Sequence, residues 1–149
     1  PKLLNLEITE STIIETAAVA TDALDRLRAL GAALHLDDFG TGYSSLSCLH
    51  RFPLDVLKVD REFMESIRTS ADYAVVIKTI ATLAHELGLR VTVEGVETAA
   101  DLQAVRALGC DFAQGYHLSR PVPADKAAEL ITADEHWREM ILGPARAAG

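Results

Sequence analysis

Cysteine is almost missing from these 149 residues: Cys48 and Cys110 are the only two, and neither has a CxxC or CxxH companion. That spacing argues against a cysteine-held zinc site or a disulfide framework. It reads as two small, mostly buried, inert thiols in a reducing cytoplasm. Aromatic residues make up 5% of the chain, and no apolar run approaches the length of a membrane span. The N-terminus lacks the basic-then-apolar layout of a signal peptide. Positive charge is scarce as well. Fourteen Lys and Arg stand against 22 Asp and Glu, a net charge of -8, which disfavours sequence-independent attraction to a nucleic acid polymer or an anionic membrane. An anionic substrate would need local help, such as a metal ion.

What the chain does have is 49% hydrophobic and 24% charged residues, the balance of a soluble domain with a real core. It opens "PKLLNLEITE", without a Met and already inside an apolar segment, and is expected to be part of a larger protein. Three segments share one layout. "LRALGAALHLDD", "AHELGLRVTVEG" and "VRALGCDFAQGY" each run from a helix-like stretch through a Leu-Gly stop to a short apolar run and a polar group. Gly31, Gly88 and Gly109 fall where a left-handed helix cap is wanted, and Thr98 with Asp101 resembles a capping box. Val76, Ile80, Leu83 and Leu87 mark an amphipathic helix. The apolar runs "AALHL", "LDVLKV" and "LRVTV" lack strict alternation, which suits strands buried on both faces of a parallel sheet. With "LLNLEIT" and "CDFAQG" they make five strands, separated by helices near 12–30, 44–51, 71–88 and 98–108 and followed by one near 123–132. The class is α/β, built from repeated βα units. Residues 133–149 read as a tail, with Trp137 a packing residue.

Polar residues recur at or just past the strand ends: Glu7, Asp37 and Asp38, Lys58, Glu94 and Gln114. In parallel α/β folds that rim is where ligands bind. Two adjacent carboxylates there suit divalent cations, which take hard oxygen ligands and neutralise the repulsion. Plainer readings exist for each residue taken alone. Asp37 and Asp38 could be a solvated strand end, Glu7 and Glu10 a pair at a helix start, Lys58 a snorkelling side chain, and Glu94 and Glu97 exposed loop acids. His35 reads as a core histidine, and no other His has metal-like spacing. Gly40 and Gly42 serve backbone geometry, since the loop lacks the GK[ST] of a phosphate-binding loop.

"LEITES", "DDFGTGYSSL", "LKVDREF", "VEGVET" and "QGYHLSRPV", in that order, resemble the EAL domain of bacterial cyclic di-GMP phosphodiesterases, over Leu3 to about Ile131. The resemblance implies a (β/α)₈ TIM-barrel-like fold whose rim binds two Mg²⁺ or Mn²⁺ ions and hydrolyses cyclic di-GMP to linear pGpG. It implies Glu7, Asp37 and Asp38 as metal ligands, with Asp37 shared by both ions, and Lys58 and Glu94 as catalytic residues, Glu94 being the general base. Glu97 and Gln114 would support the second metal and the water network. Glu10 would pin the loop after Asp38, through which a homodimer is expected. The Glu and Asn ligands that the family places earlier in its domain have no counterpart here. Five strands, against a barrel that takes about 250 residues, leave the wall incomplete. The expectation is that residues 1–132 are the C-terminal portion of an EAL domain, inactive alone, in a parent with further signalling domains. A module that only binds cyclic di-GMP or a protein partner is the alternative.

Overall fold

The computed structural model describes residues 4–15, 17–40 and 46–133, together with 137 and 140. Five strands, β1 (Asn5–Thr9), β2 (Ala33–Phe39), β3 (Val56–Val59), β4 (Arg90–Val93) and β5 (Phe112–Ala113), lie in chain order in one sheet. Every neighbouring pair is parallel. Between and after them come α1 (Glu10–Glu15), α2 (Ala17–Ala29), α3 (Leu46–Arg51), α4 (Arg61–Ile67), α5 (Asp72–Glu86), α6 (Ala99–Ala107) and α7 (Ala124–Ile131). A doubly wound sheet reverses its strand order at a switch point, whereas a barrel wall does not. Five βα units of an incomplete (β/α)₈-type wall are therefore in place, with β1 and β5 at its edges.

The three Leu-Gly stops behave alike: Gly31, Gly88 and Gly109 have φ of 89°, 77° and 79° and end α2, α5 and α6. Thr98 and Asp101 do form a capping box at the start of α6. Helix α4 was not legible from periodicity. It is a two-turn helix with a single buried side chain, Met64, started by Asp60, whose carboxylate accepts a 2.7 Å hydrogen bond from Glu62 N. The buried face of α5 is also not the expected one. Ile77, Ala81 and Ala84 are buried, while Val76 and Leu87 are exposed and Ile80 and Leu83 flank the core.

The helices cover one face of the sheet. Leu34, Leu36, Leu57, Val59, Val91 and Val93 are fully buried there with Ile13, Met64 and Ile77, each worth ~1.5–3 kcal/mol of hydrophobic stabilisation. Only β3 is buried along its whole length; β2 and β4 alternate, because their other face opens onto a concave cavity. Asp111 ties this wall together. It accepts from Val91 N (2.7 Å) and meets His85 Nε2 (2.8 Å), joining α5, β4 and the approach to β5. Although burial raises the Asp111 carboxyl, these partners win and hold it below its ordinary value. Cys110 is half-buried, with its thiol pushed up to about 11 by burial, an unreactive state. The side chain of Cys48 and most of the tail lie outside the described residues; Trp137 donates its indole N–H to Leu130 O. No described helix is long and apolar enough to cross a membrane.

Candidate active site

Strand alternation decides which residues face the concave side. Asn5 and Glu7 of β1, His35 of β2, Lys58 of β3 and Arg90 and Thr92 of β4 line a cavity of about 490 Å³, with Gln114 at its margin. His35 thus faces the cavity instead of the core, and burial keeps its imidazole below the ordinary value despite the nearby Glu7.

Lys58 is the centre of the site. Its side chain is only 5% exposed, and its ammonium touches Glu7 Oε1 (2.8 Å), Asp37 Oδ1 (2.8 Å) and Glu94 Oε1 (2.7 Å). These carboxylates come from β1, from β2 and from the turn after β4, so the sheet order itself assembles the cluster. Burial pulls the Lys58 ammonium down, but the contacts with Asp37, Glu7 and Glu94 outweigh it and hold the group above the ordinary lysine value. One cation faces three anions, so the cluster is net negative, with Glu7 and the ammonium on the cavity wall. Glu7 sits in the middle of its strand, not at the end. In the register Glu7 is level with His35 and His35 with Val56, two residues short of Lys58, so the contact with Lys58 spans both β2 and that offset.

The adjacent carboxylates owe their placement to a bulge. Leu36 pairs with Leu57 and Phe39 with Val59, so Asp37 and Asp38 together oppose Lys58, and Asp38 takes φ 56°. A regular strand would send consecutive side chains to opposite faces; a bulge re-aims one of them. Burial, then Asp37 and Asp60, raise the Asp38 carboxyl above its ordinary value. Asp60, which was not among the expected site residues, therefore adds a further carboxylate beside Asp38. Its presence in "LKVDREF" was the available signal.

Glu10 opens α1 almost fully buried, and its Oε2 lies 3.5 Å from Gly40 N at the start of the Gly-rich loop. Residues 41–45 of that loop lie outside the described residues. On the far side, the turns after β4 and β5 are laced together. Val96 N donates to Gln114 O (3.1 Å) and His117 N to Val96 O (3.0 Å). A Cβ on Gly115 would stand 2.1 Å from Val96 O, so only glycine lets these backbones approach. Glu97 does not reach the Lys58 cluster. It is half-exposed and pairs with Arg68 at 3.4 Å.

Arg68 also grips Asp101 through Nη2 (2.7 Å) and Nε (3.3 Å). Burial raises the Asp101 carboxyl, but Arg68 and the N–H groups of Glu97 and Thr98 bring it down to about 2. A carboxylate depressed on folding stabilises above its unfolded pKa and loses that contribution as the pH falls through its folded value. The unfolding free energy lost in Asp101→Asn should be ~2 kcal/mol near pH 6 and fade between about pH 4 and pH 2. Denaturant titrations of both proteins across that range check it, and a deficit independent of pH contradicts the assignment.

Hard oxygen donors are what Mg²⁺, Mn²⁺ and Ca²⁺ prefer. Asp37 Oδ1 is buried and has no well-aligned hydrogen-bond donor, even though the ammonium lies 2.8 Å away. Among the described residues no three His, Cys, Asp or Glu side chains are arranged to hold a metal ion; the point on which Glu7, Asp37 and Glu94 converge is taken by the Lys58 ammonium. The donor chemistry suits divalent cations.

Known proteins resemble this chain in both sequence and fold. Cyclic di-GMP phosphodiesterase NbdA of Pseudomonas aeruginosa is 44% identical over 130 residues, which are 87% of this chain and 17% of NbdA. The structure of the PaMucR phosphodiesterase in complex with c-di-GMP superposes with a TM-score of 0.80 at 42% identity, over 85% of this chain and 51% of that one. Klebsiella pneumoniae BlrP1 in a manganese and cyclic di-GMP complex gives a TM-score of 0.75 at 36% identity, over 81% of this chain and 31% of that one. The chain thus spans about half of the PaMucR structure and under a fifth of NbdA. The family model for the EAL domain matches residues 1–121, most of the chain, and on that match this chain belongs to the EAL domain family.

Proposed function

We propose that this chain supplies the Lys58 side of a metal-dependent cyclic di-GMP phosphodiesterase, with residues 1–132 as the C-terminal portion of its EAL domain and 133–149 as a tail. The observation that carries the proposal is the meeting of Glu7, Asp37 and Glu94 on one nearly buried ammonium at a barrel rim. Glu7, Asp37 and Asp38 would hold two cations, Mg²⁺ or Mn²⁺. Bound there, such ions supply Lewis acidity and a water acidic enough to ionise near neutral pH.

The chain's own groups do the rest. Glu94, 2.7 Å from the Lys58 ammonium, accepts the proton of the attacking water. Lys58 orients that water and faces the negative charge that gathers on the phosphoryl oxygens. Gln114 supports the water network from the turn after β5, while Glu97, paired with Arg68, acts on it only through the turn it shares with Glu94. Water adds to one phosphorus, the bond from that phosphorus to a ribose 3′ oxygen breaks, the leaving oxygen takes a proton from surrounding water, to which Glu94 releases the one it accepted, and the ring opens to pGpG. The net negative cluster would repel a dianionic dinucleotide until cations reverse its sign, which reconciles an acidic chain with an anionic substrate. The protein is proposed to work in the cytoplasm, dimerising through the loop after Asp38, within a parent bearing other signalling domains.

The test is chromatographic detection of pGpG from cyclic di-GMP with the full-length protein. Product should accumulate with Mg²⁺ or Mn²⁺ and stop on chelation. Binding of cyclic di-GMP without pGpG under any of these metals would overturn the enzymatic reading in favour of a regulatory module.

A further inference from the structure

Glu94 stands on a turn that is irregular for five residues and yet has to hold one carboxylate oxygen 2.7 Å from Lys58. Helix α4, outside the cluster, provides the means. Arg68, its C-terminal cap, reaches across and makes four polar contacts with this turn and the helix that follows. They are Asp101 Oδ2 at 2.7 Å, Asp101 Oδ1 at 3.3 Å, Gly95 O at 3.2 Å and Glu97 Oε2 at 3.4 Å. Asp101 in turn accepts from Glu97 N (3.0 Å) and Thr98 N (2.9 Å). The first residue of α4 meets the same turn. Gly95 has φ 75°, and a Cβ there would lie 2.7 Å from Arg61 Cβ.

Resting on the phosphodiesterase reading above, we infer that Arg68, forked onto Asp101, is a positioning residue. It fixes the turn that carries Glu94 and, through Val96, the Gln114 turn. A planar guanidinium holding a nearly buried carboxylate by two bonds fixes an orientation that a point charge does not. The carboxylate is itself anchored by two backbone N–H groups, so the constraint passes directly into the backbone between Glu94 and α6. Arg68 is about one-third exposed, and its polar contacts are with Asp101, Gly95 and Glu97, not with Lys58 or Asp37. Its effect is therefore on geometry, and misplacing a catalytic group by about an ångström costs up to ~10²-fold in rate.

The experiment uses the full-length protein with Arg68→Ala, alone and combined with Glu94→Gln. Turnover of cyclic di-GMP should fall ~10- to 100-fold with KM changed less than about twofold. In the Glu94→Gln background the further loss should shrink to less than about threefold, because the two residues act through one another. Amide exchange at Glu97 and Thr98 should accelerate, while that at Leu102, donated to Thr98 O, stays protected. A wild-type kcat retained in Arg68→Ala overturns the inference and leaves the phosphodiesterase reading standing. If the parent protein hydrolyses nothing, that reading fails by itself, and the exchange measurement decides the clamp. Unchanged protection at Glu97 and Thr98 would refute it.

Discussion

Asp37→Asn is expected to lower pGpG formation by at least ~10²-fold while leaving the cation-free protein as stable as before, or more so. The two effects have one cause. Asp37 is one of three carboxylates facing a single ammonium, and asparagine keeps its shape while removing a surplus negative charge. Without divalent cations the variant relieves like-charge repulsion, so its unfolding midpoint should hold or rise. With cations the order reverses, because a ligand that binds only the folded state raises its stability with concentration. Mg²⁺ or Mn²⁺ should raise the wild-type midpoint, and the gain should largely vanish in Asp37→Asn. Thermal unfolding of both proteins over a cation series, beside the turnover assay, separates a lost ligand from a lost fold. Equal cation-induced stabilisation of the two proteins would remove Asp37 from the metal site.

How much of this could be read from the sequence depends on the range over which each feature is specified. The βα repeat was legible because its signals are local: a Leu-Gly stop fixes a left-handed cap, and Gly31, Gly88 and Gly109 all adopt one. The parallel order followed from short apolar runs that alternate with helices. Periodicity misled where a helix is short or its buried face narrow, as in α4 with its one buried Met64, and in α5, whose small Ala81 and Ala84 face the core while larger side chains flank it. Apart from Glu7, which lies mid-strand, the site residues were legible as polar groups toward strand ends and as ordered motifs, but their contacts were not. Strand alternation says which face a side chain takes, not which neighbours meet. Nothing local shows that Glu7 crosses β2 to reach Lys58, or that a bulge sets both Asp37 and Asp38 opposite that lysine. Arg68 and Asp101 are separated by 33 residues. Each looks like an ordinary charge at a helix end until the fold brings α4 against the turn after β4. Glu97 shows the same limit from the other side: motif position placed it near the site, and tertiary contact gives it to Arg68.

Lys58→Met should have the opposite signature to Asp37→Asn. The side chain is nearly buried, and methionine matches its length without its charge, leaving Glu7, Asp37 and Glu94 facing one another without their shared cation. Removing one partner of a buried ion pair is costly because the remaining charge is stranded. Here Asp37 and Glu94 are about one-fifth exposed and Glu7 about half, so water screens part of the penalty. The expected loss in the cation-free full-length protein is ~2–4 kcal/mol. Because the Lys58 ammonium is held above its ordinary value, its contribution is complete below the unfolded lysine pKa of about 10.4. It is lost only as the pH rises through the folded value, so the deficit should be level between about pH 6 and pH 9. Divalent cations should reduce it, since they occupy the same carboxylates without having to displace the ammonium. Half-saturating Mg²⁺ or Mn²⁺ in an unfolding titration should therefore be lower for Lys58→Met than for the wild type. Turnover should nevertheless remain ~10²–10³-fold down even at saturating cation, because the group facing the charge on the phosphoryl oxygens is gone. Equal cation-free stability of the two proteins would show that the three contacts contribute nothing to the fold. A higher cation requirement in Lys58→Met would mean that lysine assists metal binding instead of competing with it.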